Sequence, residues 1–185
     1  ARDFRVITAN GGQAGIELAV NASPDIIISD LMMPKVDGNE VLQRLKKDPR
    51  TSHIPIILLT AKDTPESESK SLKMGADGYQ TKPFNINNLG QQIKNILVGR
   101  QRLRERFHKE VITAPKEITV THVDEKFLSN ALMIVEENMD NTRFSTEQLA
   151  QELHISRSRL HIKLKAITGQ TTSEFVRTIR LKRAV

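Results

Sequence analysis

The sequence predicts an α/β domain built on a doubly wound parallel sheet, followed by a basic, all-helical domain. Three observations carry that prediction. Over residues 1–98 short apolar runs alternate with helical patterns, which is how βαβ units and a parallel sheet read. Beyond Val98 strand patterns nearly stop, and everything from Asp124 onward reads as helix. The charge divides with the pattern: residues 1–98 carry 12 Lys and Arg against 11 Asp and Glu, residues 99–185 carry 16 against 11, and from His154 to the end the count is 8 against 1. A basic end on a near-neutral body points to a polyanion, nucleic acid first and an anionic membrane surface second.

Each element follows from its local pattern. Residues 4–9 read as a strand, and Asn10-Gly11-Gly12 supplies the turn into a helix over 12–21. That Gly cluster lacks the G-x-G-x-x-G spacing of a dinucleotide site. The run Ile26-Ile27-Ile28 predicts a buried strand over 25–30 that ends in Asp30. Helix 38–47 opens at Asp37-Gly38, and Ile56-Ile57-Leu58-Leu59 centres a strand over 54–60. A helix over 65–74, a short strand over 78–81 and a helix over 86–98 complete the series. Pro24, Pro34, Pro55, Pro65 and Pro83 fall at element edges, where a missing N–H costs nothing. Residues 99–123 are expected as a helical linker, with Leu103, Phe107 and Val111 on one helical face that can extend the seam of Ile93, Ile96 and Val98 and continue the preceding helix despite Gly99.

Composition excludes several classes. Zero Cys rules out a disulfide framework and a thiolate metal site. No apolar run approaches the roughly 18 residues that span a bilayer, and no signal peptide is visible. The sequence opens at Ala1 without Met, which reads as a piece of a longer product. Ser67-Glu68-Ser69-Lys70 has the S-x-x-K form of a penicillin-binding nucleophile, but the S-D-N and K-T-G partners are absent.

Three strand ends hold the chemistry. Asp30 closes one strand in the stretch Ser29 to Gly38 (SDLMMPKVDG), Thr60 closes the next thirty positions on, and Lys82 follows a third within TKPF, twenty-two positions later. Ligands in open α/β sheets collect at the carboxyl ends of strands. A carboxylate there can attack a phosphoryl group and hold it as an acyl phosphate, while an ammonium and a hydroxyl neutralise its oxygens. A dehalogenase-type phosphatase would want D-x-D, and Asp30-Leu31-Met32 lacks the second acid.

This set resembles the receiver domain of bacterial response regulators over roughly residues 1–98. The resemblance implies a flavodoxin-like sheet, Asp30 as phosphoacceptor, Thr60 and Lys82 as phosphate-stabilising groups, and Tyr79 as the switch aromatic. It also implies Mg²⁺, held by Asp30 and the backbone carbonyl of Met32 together with an upstream acidic pair. Residues 4–9 match the second receiver strand, so the expected domain is N-terminally truncated: the first strand, first helix and acidic pair are not in view.

The second half holds its own motif. Ser145-Thr146-Glu147 begins one helix, His154-Ile155-Ser156 makes a short turn, and a second helix is expected over 157–168 before Gly169. Leu160, Leu164 and Ile167 give it one apolar face. Two short helices with a three-residue turn, the second basic outside, fit a helix-turn-helix. The elements LA-x-x-L, S-R-x-x-L, K-x-x-TG and RLKRA closely resemble the first half of an AraC-type DNA-binding domain, over residues 124–185. By position Ser158, His161, Ile162 and Lys165 would face base edges, and Arg157, Lys163 and Arg177 would touch phosphates. The second helix-turn-helix of such domains would follow Val185.

Together these resemblances imply a two-component response regulator acting as a transcription factor. Its partners would be a histidine kinase domain, in cis or in trans, and double-stranded DNA, with a homodimer when active and no direct membrane contact. The combination resembles the cytoplasmic output end of hybrid two-component proteins, whose parent chain is a sensor histidine kinase anchored in the inner membrane; the segment itself would be a phosphoacceptor and not an enzyme. The alternative is a phosphorylation-independent, receiver-like interaction module on a DNA-binding protein.

Overall fold

The computed structural model describes residues 4–61, 69, 71–109 and 121–183. The chain divides into two compact units, residues 1–96 and 97–185. In the first, α1 (Gly12–Ala22), β1 (Ile27–Asp30), α2 (Gly38–Lys47), β2 (Ile56–Thr60) and β3 (Gly78–Thr81) precede α3 (Ile86–Lys109), which runs across the division. In the second, α4 (His122–Glu137), α5 (Thr146–Glu152), α6 (Arg157–Thr168) and α7 (Thr172–Arg183) follow. Among the described residues no helix is long and apolar enough to cross a membrane.

The described sheet is parallel, in the order β1-β2-β3, with Ile27 beside Ile56, Asp30 beside Leu59 and Thr60 beside Thr81. Side chains alternate across it. Ile56 and Leu58 join Ala19, Val41, Leu42 and Leu45 in a core under α1 and α2. Ile57, on the opposite face, lies against Gly78, where an added Cβ would stand 2.7 Å from the Gln92 amide of α3. Helices therefore cover both faces, as the doubly wound prediction requires. A buried ion pair adds to this core: Lys46 donates to Asp77 at 2.8 Å and to the Ile54 carbonyl at 3.0 Å, and Asp77 also accepts the Ile56 N–H.

One expectation fails. Residues 4–9 form no strand; Phe4, Val6 and Ile7 are exposed. A strand exists only through a neighbour's backbone N–H and C=O groups, and these residues pair with no strand of the described sheet. The helix that opens at Ile86 runs past Val98 to Lys109. Gly99 costs about 1 kcal/mol in a helix but meets nothing within 4 Å. The expected linker is thus helical at its start and structural: Phe107 is buried in the second unit, its ring stacked on Phe175 at 6.1 Å. Arg104 Nε donates to the Ala166 carbonyl in the last turn of α6 at 2.8 Å, where a cation suits the helix dipole. Val111, most of the 113–121 stretch and residues 65–68 and 70 of the predicted helix 65–74, which include Ser67, Glu68 and Lys70, lie outside the described residues.

The second unit has a single core of Phe107, Phe127, Leu128, Ala131, Val135, Leu149, Leu160, Leu164 and Phe175 with their neighbours. Its helices are individually well capped. Thr121 accepts the Asp124 N–H; Ser145 and Gln148 form a reciprocal capping box; Ser156 accepts the Arg159 N–H; and Gly169 ends α6 at φ 77°.

Candidate functional site

The carboxyl ends of the three strands bring Asp30, Thr60 and Lys82 together. Asp30 is the last residue of β1, Thr60 the last of β2, and Lys82 follows β3 directly. The Lys82 backbone N–H donates to the Thr60 carbonyl at 2.7 Å, which fixes where the lysine leaves the sheet. Its Nζ then reaches Asp30 Oδ2 at 2.5 Å. Both side chains remain about a third exposed, at 38% and 35%. Thr60 is fully buried at the floor. Tyr79, half-buried, packs on the core from β3.

The loop after Asp30 is shaped around that carboxylate. The Met32 N–H donates to Asp30 Oδ1 at 3.1 Å, the Leu31 N–H to the Leu59 carbonyl at 2.6 Å, and the Gly38 N–H returns to the Leu31 carbonyl at 3.0 Å. Gly38 is required by close approach: a Cβ there would stand 2.4 Å from the Asp30 carbonyl oxygen. Asp37 then caps α2 by accepting the Glu40 N–H at 2.8 Å. The loop so braced leaves the Met32 side chain exposed. Burial works to raise the Asp30 pKa, but the hydrogen bonds from Lys82 and the Met32 N–H outweigh it and hold the carboxyl below its ordinary value.

The described residues supply part of a Mg²⁺ site. Mg²⁺ demands near-octahedral oxygen coordination, whereas Asp30 and the Met32 carbonyl offer two protein groups, and Lys82 covers one Asp30 oxygen. Among the described residues no group of three or more His, Cys, Asp or Glu could hold a metal ion.

The second candidate surface lies on α6. Arg157, Ser158, Ile162 and Lys165 are exposed and His161 is half-buried, all on the face away from Leu160, Leu164 and Ile167. Arg157 Nη1 pairs with Glu147 of α5 at 2.6 Å. Arg177 is exposed on α7. Lys163 departs from this face, which corrects its expected phosphate role. It is 4% exposed, donates to Asp124 at 2.7 Å and lies 4.9 Å from the Phe127 ring centroid. An ammonium enclosed in this way does not reach a backbone phosphate. Positions 160, 163, 164 and 167 form one helical stripe, a signal that charge alone overrides.

The response regulator receiver domain family matches residues 1–94. "Histidine kinase P4" of Formosa agariphila is 42% identical over 182 residues, 98% of this chain and 13% of that protein. "Probable transcriptional regulator ycf29" of Porphyra purpurea is 30% identical over 172 residues, covering 86% of this chain and 82% of that one. Among solved structures, a CheY-like response regulator receiver domain protein from Methanospirillum hungatei matches at 26% identity with a TM-score of 0.50, covering 54% of this chain and 78% of that chain. The chain therefore spans about an eighth of the Formosa kinase it matches nearly end to end.

Proposed function

The chain belongs to the response regulator receiver family, and from that premise we propose that Asp30 accepts a phosphoryl group from a histidine kinase and that the helical unit, an AraC-type helix-turn-helix, docks on duplex DNA. The observation that carries the first half is the Lys82 ammonium on the Asp30 carboxylate at the mouth of the sheet. In the transfer, an Asp30 oxygen bonds to phosphorus as the donor's P–N bond breaks, and the electron pair of that bond leaves on the imidazole nitrogen. Lys82, released from the carboxylate, neutralises a phosphoryl oxygen, and the Thr60 hydroxyl turns toward another. The acyl phosphate carries about −1.5 to −2 charges where the carboxylate carried −1, and Tyr79 follows the rearranged strand ends as the switch.

The second half rests on α5 and α6, joined by the turn at 153–156, with Arg157, Ser158, His161, Ile162 and Lys165 outward. Ser158, His161, Ile162 and Lys165 would meet base edges, and Arg157 and Arg177 would meet phosphates. The end-to-end match to a Formosa histidine kinase supports a hybrid parent with the kinase on the same chain. The narrow metal donor set favours a second reading, a receiver-like module that acts without phosphate.

A phosphohistidine donor separates the two. Incubated with it, a protein carrying this segment gains one hydroxylamine-labile phosphoryl group by intact mass, and Asp30→Asn abolishes the gain. Unchanged incorporation in that variant overturns the assignment; no incorporation in either protein favours the phosphate-independent module.

A further inference from the structure

The ion pair between Asp124 and Lys163 sits where a helix-turn-helix would ordinarily be expected to hold itself together by apolar packing alone. Lys163 belongs to α6, on the same stripe as Leu160, Leu164 and Ile167, and is 4% exposed. Asp124 belongs to the first turn of α4, outside the two-helix motif, and is 1% exposed. The carboxylate is fully engaged: Oδ1 accepts Lys163 Nζ at 2.7 Å, and Oδ2 accepts the Thr121 hydroxyl at 2.7 Å. Thr121 Oγ1 in turn accepts the Asp124 N–H at 3.1 Å, so the cap of α4 orients the acid that receives the lysine. The Phe127 ring, one turn along α4, lies against the same ammonium.

A buried ion pair is a directional contact, and directionality is what apolar packing lacks. Apolar side chains tolerate small rotations and slides of a helix with little loss, whereas a carboxylate and an ammonium withdrawn from water lose heavily when they part. The contact falls in the middle of α6, one residue beyond Ile162 and two before Lys165, so rotation of the outward face about the helix axis is what it opposes.

We infer that Asp124 and Lys163 are positioning residues for DNA docking: the α4 carboxylate fixes the rotation of α6, and thereby the direction of its outward side chains. The inference rests on the DNA-binding reading of α6. It also makes an acidic residue necessary for binding a polyanion, the reverse of what bulk charge predicts.

That reversal supplies the test. The whole chain is titrated with a random-sequence DNA duplex at several salt concentrations, at a temperature where circular dichroism shows each variant folded. Asp124→Asn removes a negative charge yet is expected to weaken binding about fivefold or more. Lys163→Met is expected to weaken binding comparably with an unchanged slope of log affinity against log salt, whereas loss of a phosphate contact lowers that slope by about one. Amine acylation supplies a readout independent of DNA: Lys163 stays unreactive while Lys165 reacts, and Asp124→Asn exposes Lys163. Unchanged or tighter binding by Asp124→Asn, or a reduced salt slope in Lys163→Met, overturns the positioning role. If a single variant does not fold, the charge-neutral pair Asp124→Leu with Lys163→Met decides: weaker binding supports the role and wild-type binding overturns it. Failure of the wild-type chain to bind the duplex at all, with Lys163 still unreactive, overturns the DNA reading itself and the docking role with it, but leaves the buried pair standing.

Discussion

An ammonium meets a carboxylate in each of the two units, at nearly the same distance, in very different surroundings. Lys82 reaches Asp30 at 2.5 Å with both side chains about a third exposed. Lys163 reaches Asp124 at 2.7 Å with both essentially enclosed. The first pair is open to solvent that can replace either partner, which is what exchange of the ammonium for a phosphoryl group would require. The second is closed off from solvent, and separating it leaves a charge buried beside Phe127. Burial, more than distance, distinguishes a contact suited to switching from one suited to holding. Lys46 and Asp77 sit between the extremes in location, inside the sheet unit but only 8% and 10% exposed, and belong with the holding kind.

The largest expected effect follows from breaking the enclosed pair. Asp124→Asn or Lys163→Met should lose about 3–5 kcal/mol of stability in the helical unit, while the double change to apolar residues should recover most of it. Urea unfolding followed by helical circular dichroism measures both. Equal losses in the single and double variants would mean that packing volume, and not the stranded charge, sets the cost.

Lys46→Met should come next and should act on the other unit. It leaves the Asp77 carboxylate buried without its ammonium, the Ile56 N–H still donating to it, for a loss of about 3 kcal/mol. Amide exchange of β2 and β3 should rise in this variant. Protection that changes only in α4 to α7 would contradict the assignment of the pair to the sheet core.

The two kinds of pair were unequally legible in the sequence. Asp30 and Thr60 close strands that apolar runs mark out, and Lys82 follows a short strand within TKPF, so the exposed pair emerges from the order of strand ends. Lys163 was misdirected because a lysine on a short basic helix reads as outward, although the stripe 160, 163, 164, 167 already placed it inward. Its partner is 39 residues away on another helix, a separation that local periodicity does not encode. Residues 4–9 fail for a related reason: an apolar, β-branched run marks a segment able to be a strand, but pairing requires a neighbour that the segment itself cannot specify. Phe107 shows the converse, since its apolar face at 103, 107 and 111 was visible and only its partner, Phe175, was not.

Arg104→Ala should cost less than either buried pair. It removes one hydrogen bond from a half-buried guanidinium to the Ala166 carbonyl at the end of α6, worth about 1–2 kcal/mol with its charge assistance. Thermal melting of the helical unit should fall by a few degrees, and Arg104→Lys should restore only part of it because the planar donor geometry is lost. A full rescue by lysine would mean that charge at the helix end, and not the directed bond, carries the contact.

The smallest stability effect belongs to the exposed pair, although its effect on phosphate acceptance is expected to be complete. Lys82→Ala should change stability by no more than about 1 kcal/mol at neutral pH, because an ion pair this exposed is screened and its partners are readily solvated. The sign with pH is fixed by Asp30, whose carboxyl is held below its ordinary value in the folded protein. A depressed carboxylate contributes stability that is present above the unfolded value of about 3.9 and is lost as pH falls through the lower folded value. The gap between wild type and Lys82→Ala should therefore be visible at neutral pH and close as acidification carries the pH below the ordinary carboxyl range and through the lowered folded value. Urea midpoints of the sheet unit at both ends of that range measure it. A gap as large as that of the enclosed pair at neutral pH would place Asp30 and Lys82 among the holding contacts, and the carboxylate would no longer be free to exchange its ammonium for a phosphoryl group.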